Sequence, residues 1–373
     1  MISIQNVSKS YQTGTEVLRD INLEIRDREL VVLLGESGSG KTTLLKMINR
    51  LIGMSKGDIL INGKSINDFD AVQLRRGMGY VVQQTGLFPH MTVQDNIEMV
   101  SKLKKEKPES IREKTAEVMR MVGLAPEEYL KRYPRELSGG QAQRVGVARA
   151  YATDPEIILM DEPFSALDPI TRSELQKELL ELQKKKPKTI VFVTHDIAEA
   201  IKLADRIVLL NNGVIEQVGT PRELLVHPKT EYVSRFLGDK RVWKTPWILL
   251  CKDIMSEKMT CIRADENVEK AWELIKQDDV QAIIVTDENN KAVGKLTEKI
   301  MMRRLDSKTI PEMMKKQFDY TFMNTPLHEA VKLMNTKDVL YLPVVNQEMQ
   351  LMGMLSMTDL MMAFDENILS EQR

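Results

Sequence analysis

Cysteine is nearly absent from the 373 residues. Only Cys251 and Cys261 occur, too few for a disulfide framework and suited to a reducing compartment; both read as core thiols. No apolar run approaches the roughly 20 residues needed to span a bilayer. The first residues, Met1-Ile2-Ser3-Ile4-Gln5, have no signal-peptide layout, so the expectation is a soluble, cytosolic chain. Charge of one sign is lacking too. Lys and Arg number 53 against 54 Asp and Glu, a formal net charge of −1, which argues against a nucleic-acid partner. Lysine clusters at Lys102–Lys107 and Lys184–Lys188 sit among helix-period residues and acidic neighbours, and read as solvated faces. This length suggests two or three domains, each with its own core.

What is present begins with an apolar run, Leu30-Val31-Val32-Leu33-Leu34, followed by Gly35-Glu36-Ser37-Gly38-Ser39-Gly40-Lys41-Thr42. A buried strand, a glycine-rich turn and a helix start through Thr43-Leu44-Leu45 are the layout of a phosphate-binding P-loop. Glycines let backbone N–H groups close around a polyphosphate, and the helix points its positive end at it. Lys41 supplies a point charge, and the Thr42 hydroxyl is a Mg²⁺ ligand. The chain therefore binds a nucleoside triphosphate.

Further strands are read at Ile2–Val7, Ile21–Ile25, Asp58–Ile61 and Met78–Val82, with Asn62-Gly63 as a turn. Tyr11, near a strand end, suits either adenine stacking or simple packing. A loop rich in Gly and Pro, Gln83 to Val93, follows, with Thr92 placed as a helix N-cap. Helical periodicity runs from Glu109 to Val122. Leu137-Ser138-Gly139-Gly140-Gln141 precedes a helical run over Ala142–Ala150 and makes a second anion-binding N-terminus. Ile157–Met160 reads as a buried strand ending in Asp161-Glu162, two acids that are costly at a strand end unless they meet a cation or a network. Thr189–Val193 is a strand leading into Thr194-His195, where the imidazole is either structural or catalytic. Strands ending at one edge and alternating with helices give an α/β domain with its ligand at the strand C-termini.

Leu137–Gln141 is similar to the signature pentapeptide of ATP-binding cassette (ABC) ATPases, here lying between a P-loop and a Walker B strand. The set Tyr11, Gly35–Thr42, Gln83, Leu137–Gln141, Ile157–Glu162, Ser165-Ala166-Leu167-Asp168 and His195 occurs in the family's order across residues 1–238. The resemblance implies that Tyr11 stacks on adenine and that the loop amides, Lys41 and Thr43 hold ATP. It implies that Thr42, Asp161 and Gln83 position Mg²⁺ and the attacking water, that Glu162 is the general base, and that His195 contacts the γ-phosphate. Leu137, Ser138, Gly139, Gly140, Gln141 and Asp168 then face ATP bound by a second cassette, so two cassettes work head to tail, as a homodimer or with another ATPase chain.

Past a linker at residues 239–250, with Trp243-Lys244-Thr245-Pro246-Trp247 as a docking strip, the character changes. Fourteen of the 23 methionines lie from Met255 onward, consistent with an adaptable core. Residues recur at an offset of 59: Met255 and Met314, Ala271 and Ala330, Leu274 and Leu333, Asp279-Val280 and Asp338-Val339, Gly294 and Gly353. Each unit reads as helix, strand, turn, strand, helix. The repeats, placed at 251–308 and 309–373, resemble a tandem pair of cystathionine-β-synthase (CBS) domains, a smaller α/β module that often binds adenine nucleotides. The resemblance implies Ser356, the module's small hydroxyl residue, and Asp359, its ribose-binding aspartate, as candidate ligands. The first repeat keeps Thr297 but has Ile300 where the aspartate would stand, and an isoleucine accepts no hydrogen bond. A sensor of an adenine nucleotide or a cyclic dinucleotide, a response to ionic strength through screened surface charge, and a purely dimerising module all stay open.

Together with Met47–Ile52 and Ile170-Thr171-Arg172, these features look most like the ATPases that energise import of glycine betaine, carnitine and choline. That implies transmembrane permease subunits, an extracellular or periplasmic substrate-binding protein, and a place on the cytoplasmic face of the membrane. A polyamine or amino-acid importer, or a non-transport ABC ATPase, is the alternative.

Overall fold

The computed structural model describes every residue except 12, 13, 15, 84, 85, 239–248, 258, 278–281, 304–308 and 366–373, together with the side chains of 277 and 362–365. The strip from Trp243 to Trp247, most of the linker at 239–250, the Asp279-Val280 match and the chain end of the second repeat lie outside the described residues. The chain divides into two compact units, Met1–Leu237 and Gly238–Arg373.

In the first unit the elements run β1 (Ile2–Ser10), β2 (Glu16–Ile25), β3 (Leu30–Leu34), α1 (Lys41–Ile48), β4 (Lys56–Ile61), β5 (Lys64–Ser65), α2 (Ala71–Arg76), β6 (Met78–Val81), α3 (Val93–Leu103), α4 (Pro108–Met121), α5 (Pro126–Tyr129), α6 (Gly139–Tyr151), β7 (Ile157–Asp161), α7 (Pro169–Lys185), β8 (Thr189–Val193), α8 (Ile197–Leu203), β9 (Arg206–Asn211), β10 (Val214–Gly219), α9 (Pro221–Val226) and α10 (Glu231–Leu237). Strands β2, β1, β4 and β5 form one sheet. The other has the order β10-β9-β3-β8-β7-β6, parallel from β9 through to β6. Its members β3, β7 and β8 are buried at every residue, which is why they read as continuous apolar runs rather than alternating ones. Because these strands are parallel, the segments leaving β3, β6, β7 and β8 emerge at one edge. Leu44, Leu45, Met47 and Ile48 of α1 share a core with Ile2, Ile4 and Leu18 of the first sheet and with Leu159 and Val191 of the second. The P-loop helix is thus anchored by both layers.

The second unit contains β11 (Cys261–Arg263), α11 (Val268–Gln277), β12 (Ile283–Thr286), β13 (Ala292–Leu296), α12 (Glu298–Arg303), α13 (Ile310–Met313), β14 (Thr321–Phe322), α14 (Leu327–Lys337), β15 (Tyr341–Val345), β16 (Leu351–Ser356) and α15 (Met357–Asp365). Each repeat forms its own three-stranded sheet, β11-β12-β13 or β14-β15-β16, with the first pair parallel and the second antiparallel. The short opening strands β11 and β14 are elements the sequence reading did not include.

The offset of 59 is also the symmetry of the fold. Ala292 N donates to Met349 O at 3.0 Å and Leu351 N to Asn290 O at 2.9 Å, so equivalent residues (290 and 349, 292 and 351) meet each other. Likewise Ser256 pairs with Met354 and Lys315 with Lys295, each repeat sending its leading segment onto the other's third strand. Gly353 lies against Met255 and Gly294 against Met314. Cys251 is buried, but Cys261 is exposed, which corrects its reading as a core thiol. It opens a three-residue strand whose pattern puts only Ile262 inward.

Candidate active site

The P-loop geometry needs its glycines at two points. Gly35 has φ 151°, and a Cβ there would fall 2.1 Å from Leu210 O; Gly40, the N-cap of α1, has φ 100° and would meet Leu18 Cδ2 at 2.5 Å. The loop carries two polar side chains in need of an anion. Ser39 is 4% exposed, and its Oγ has no hydrogen-bond partner. Lys41 is 5% exposed and donates to Gly35 O at 2.8 Å and Glu36 O at 2.7 Å. Burial pulls its pKa below the ordinary value, opposed by the charges of Glu162, Asp161 and Glu36. An orphaned hydroxyl and a desolvated ammonium beside the uncapped start of α1 fit a polyphosphate.

At the ends of β6, β7 and β8 the other candidates converge. Thr42 Oγ1 donates to Asp161 Oδ1 at 2.7 Å, bringing together two oxygen donors of the kind Mg²⁺ takes. Gln83 Nε2 lies 3.2 Å from Glu162 Oε2, and His195 Nδ1 lies 3.2 Å from the same oxygen. Glu162 has φ 45°, left-handed backbone that costs a non-glycine residue about 1–2 kcal/mol. Its N–H donates to Val193 O at 3.0 Å, so the neighbouring strand holds the strain in place. A carboxylate on strained backbone and held by two side chains is preorganised for a task. Nearby, burial, reinforced by the Asp161 charge, pushes the Tyr80 phenol up to about 12.

Leu137–Gln141 and Asp168 lie in a different group. Ser138 caps α6, its Oγ accepting from Gln141 N at 3.3 Å while Gln141 Oε1 accepts from Ser138 N at 3.0 Å. This box starts α6 at Gly139, not at Ala142 as the sequence suggested, and makes both glycines its first turn. A Cβ on Gly140 would stand 2.5 Å from Thr171 Cγ2, so the signature packs against α7, which Asp168 caps by accepting from Ile170 N and Thr171 N. Among the described residues no hydrogen bond or ion pair joins Leu137–Gln141 to the P-loop. Tyr11 is 44% exposed, with Lys9 Nζ 5.0 Å from its ring centroid.

Residues matching the family model for ABC transporters are 18–165, and those matching the CBS domain model are 251–307 and 310–366. The choline transport ATP-binding protein OpuBA of Bacillus subtilis (strain 168) is 43% identical over 100% of this chain and 98% of its own length. The glycine betaine/carnitine/choline transport ATP-binding protein OpuCA of the same strain is 43% identical over 96% of this chain and 95% of its own. The chain belongs to the ABC transporter ATPases. A solved ABC structure, the dimeric MJ0796 bacterial cassette, matches at a TM-score of 0.54 with 37% identity, covering 59% of this chain and 99% of that one. As an ABC ATPase the protein binds and hydrolyses ATP, and it carries tandem CBS domains.

In the ABC unit three positions outside the motifs hold the site's surroundings. Asn96, fully buried in α3, accepts from Phe88 N at 2.7 Å and donates to Phe88 O, Met91 O and Thr92 O, which fixes the loop after Gln83. Arg149 of α6 donates to Gly86 O at 2.7 Å. Arg172 of α7 donates to Leu167 O at 2.9 Å. The sequence signal for Asn96 was a polar residue on the apolar face of α3, and Arg172 stood in the run Ile170-Thr171-Arg172, whereas Arg149 gave none. In the CBS pair, Ser356 Oγ donates to Asp359 Oδ2 at 2.5 Å and accepts from Asp359 N at 3.0 Å. Ser356 thus caps α15, as Thr297 Oγ1 caps α12 by accepting from Ile300 N at 3.2 Å, and the Asp359 carboxylate returns the bond by accepting from Ser356 N at 3.0 Å.

Proposed function

We propose that this ABC ATPase energises uptake of quaternary-amine osmoprotectants: glycine betaine, carnitine or choline. The observation that carries this reading is the alignment along the whole chain, cassette and CBS pair together, with proteins named for choline and for glycine betaine/carnitine/choline transport. The chain works as a homodimer on the cytoplasmic face of the membrane, beneath permease subunits served by a substrate-binding protein. The loop from Gln83 to Val93 receives the permease: Phe88 is 41% exposed there, beside Leu87 and Met91, on a shape held by Asn96.

Hydrolysis follows from the geometry at the strand ends. Ser39, Lys41 and the loop amides hold the phosphates, and Tyr11 stacks on the adenine. Thr42, Asp161 and Gln83 would hold Mg²⁺, which when bound would supply positive charge against the outer phosphates. Glu162 takes the proton of the attacking water, while Gln83 Nε2 and His195 Nδ1 fix its carboxylate through Oε2. Ser138, Gly140 and Asp168 complete the site of the second copy. At the CBS pair, Ser356 and Asp359 are the proposed contacts to an adenine nucleotide.

The test is uptake of labelled betaine, carnitine and choline by proteoliposomes carrying this chain with its permease. ATP-dependent accumulation of at least one is expected; transport of a polyamine or an amino acid instead would overturn the substrate class.

A further inference from the structure

Asp168 and His195 belong to different loops, yet one side chain spans them. Arg172 donates from Nη2 to Leu167 O, the carbonyl just before Asp168, at 2.9 Å. Its Nη1 faces Asp196 Oδ2 at 3.6 Å. Asp196 in turn is pinned on both sides. Its N–H donates to Thr194 Oγ1 at 3.0 Å, and its Oδ1 accepts from Ala198 N at 2.8 Å and Glu199 N at 3.2 Å, capping α8. His195 sits between these two anchors. A cavity of about 40 Å³ lies here, lined by Glu162, Ser165, Arg172, His195 and Glu199 among others, so the groups surround one space behind the Glu162 carboxylate.

The Arg172 contacts are incomplete as they stand. A 3.6 Å separation is an ion pair and not a hydrogen bond, and Nε is buried without a partner. A planar guanidinium with unspent donors holds two loops in register and tightens when either is pressed toward it.

We propose that Arg172 is a positioning residue that couples the Ser165–Asp168 turn to His195 through Asp196, so that a second cassette docking on Asp168 locks the imidazole where it already lies, 3.2 Å from Glu162. This rests on the proposed roles of Glu162 and of the homodimer.

The test uses the full chain with Arg172→Gln, Arg172→Lys and Asp196→Asn, which keeps the oxygen that caps α8. Arg172→Gln should lower kcat about tenfold with KM for ATP nearly unchanged, the signature of lost transition-state positioning. Arg172→Lys should recover part of the loss, Asp196→Asn should match Arg172→Gln, and the double variant should be no worse than either single one. In a Glu162→Gln background, Arg172→Gln should leave the ATP concentration that drives dimerisation nearly unchanged, as the unchanged KM requires. Additive losses, or an unchanged kcat in Arg172→Gln, would overturn the coupling. Parental hydrolysis in Glu162→Gln alone would instead sink the underlying reading.

Discussion

Lys41 separates what the P-loop does for folding from what it does for ATP. Its ammonium is 5% exposed and makes two hydrogen bonds, both to carbonyls of its own loop. Charged hydrogen bonds contribute about 1.5–3 kcal/mol each, and desolvating an ammonium costs several kcal/mol in the opposite direction. The pKa of Lys41 lies below its ordinary value, with burial as the largest cause, so desolvation outweighs the attraction of the three nearby carboxylates. Replacing it with methionine, of similar length, should leave the ATP-free melting temperature of the cassette within about 5 °C of the parent, since the lost hydrogen bonds and the relieved desolvation nearly cancel. The response to ATP should differ sharply. At a concentration 100-fold above Kd, ATP stabilises the parent by about 2.7 kcal/mol, or roughly 5–10 °C for a domain of this size. Lys41→Met should show almost none of that shift. Differential scanning fluorimetry with and without Mg-ATP decides. A variant that melts far below the parent without nucleotide, yet keeps the ATP shift, would make Lys41 a strut of the fold and refute the reasoning.

Phe88→Asp, at an exposed position whose backbone Asn96 holds, should abolish transport in proteoliposomes while leaving ATP affinity at the parental value. Gly353→Ala places a Cβ 2.8 Å from the backbone oxygen of Ser256, whereas at Gly294 the nearest atom is the flexible Met314 Sδ at 2.5 Å. Chemical denaturation should therefore show Gly353→Ala costing about 1–3 kcal/mol and Gly294→Ala less. Burial raises the Glu199 pKa above its ordinary 4.5, so the folded state holds that proton longer than the unfolded one. The carboxyl then stabilises fully below 4.5, and loses that advantage as pH rises through the folded value. Glu199→Gln should consequently gain stability relative to the parent as pH rises from about 4 to about 7, read as the difference in urea midpoints.

Much of this architecture was legible because it is written in local pattern. The buried strands β3, β7 and β8 are unbroken apolar runs, and the P-loop spacing imposes its own turn. The offset of 59 showed through in Met255 and Met314, whose side chains lie on Gly353 and Gly294 across the repeat interface. Features that depend on distant partners were not legible. The left-handed backbone of Glu162 comes with a hydrogen bond to Val193 O on another strand, and nothing in Asp161-Glu162-Pro163 announces it. Strand β14 has two residues, too few for a period, and exists because Val344 and Val345 pair with it. Arg172 is visible in the run Ile170-Thr171-Arg172, but its contacts are not until Leu167 and Asp196 are seen beside it. Asp359 stood out as a ribose ligand, but only the fold reveals that Ser356 already engages its carboxylate. Asp359→Asn, which keeps an acceptor, is thus a cleaner probe of nucleotide binding than Asp359→Ala.

The central claim is that Glu162, held by Gln83 and His195, is the base of an ATP site completed by a second copy. Glu162→Gln preserves shape and hydrogen-bonding capacity while removing the base, and its hydrolysis measured beside ATP-driven dimerisation tests the claim most directly. The account predicts a fall in kcat of roughly 10²–10⁴-fold, with ATP still bound and the protein trapped as an ATP-dependent dimer. Hydrolysis at the parental rate would contradict it.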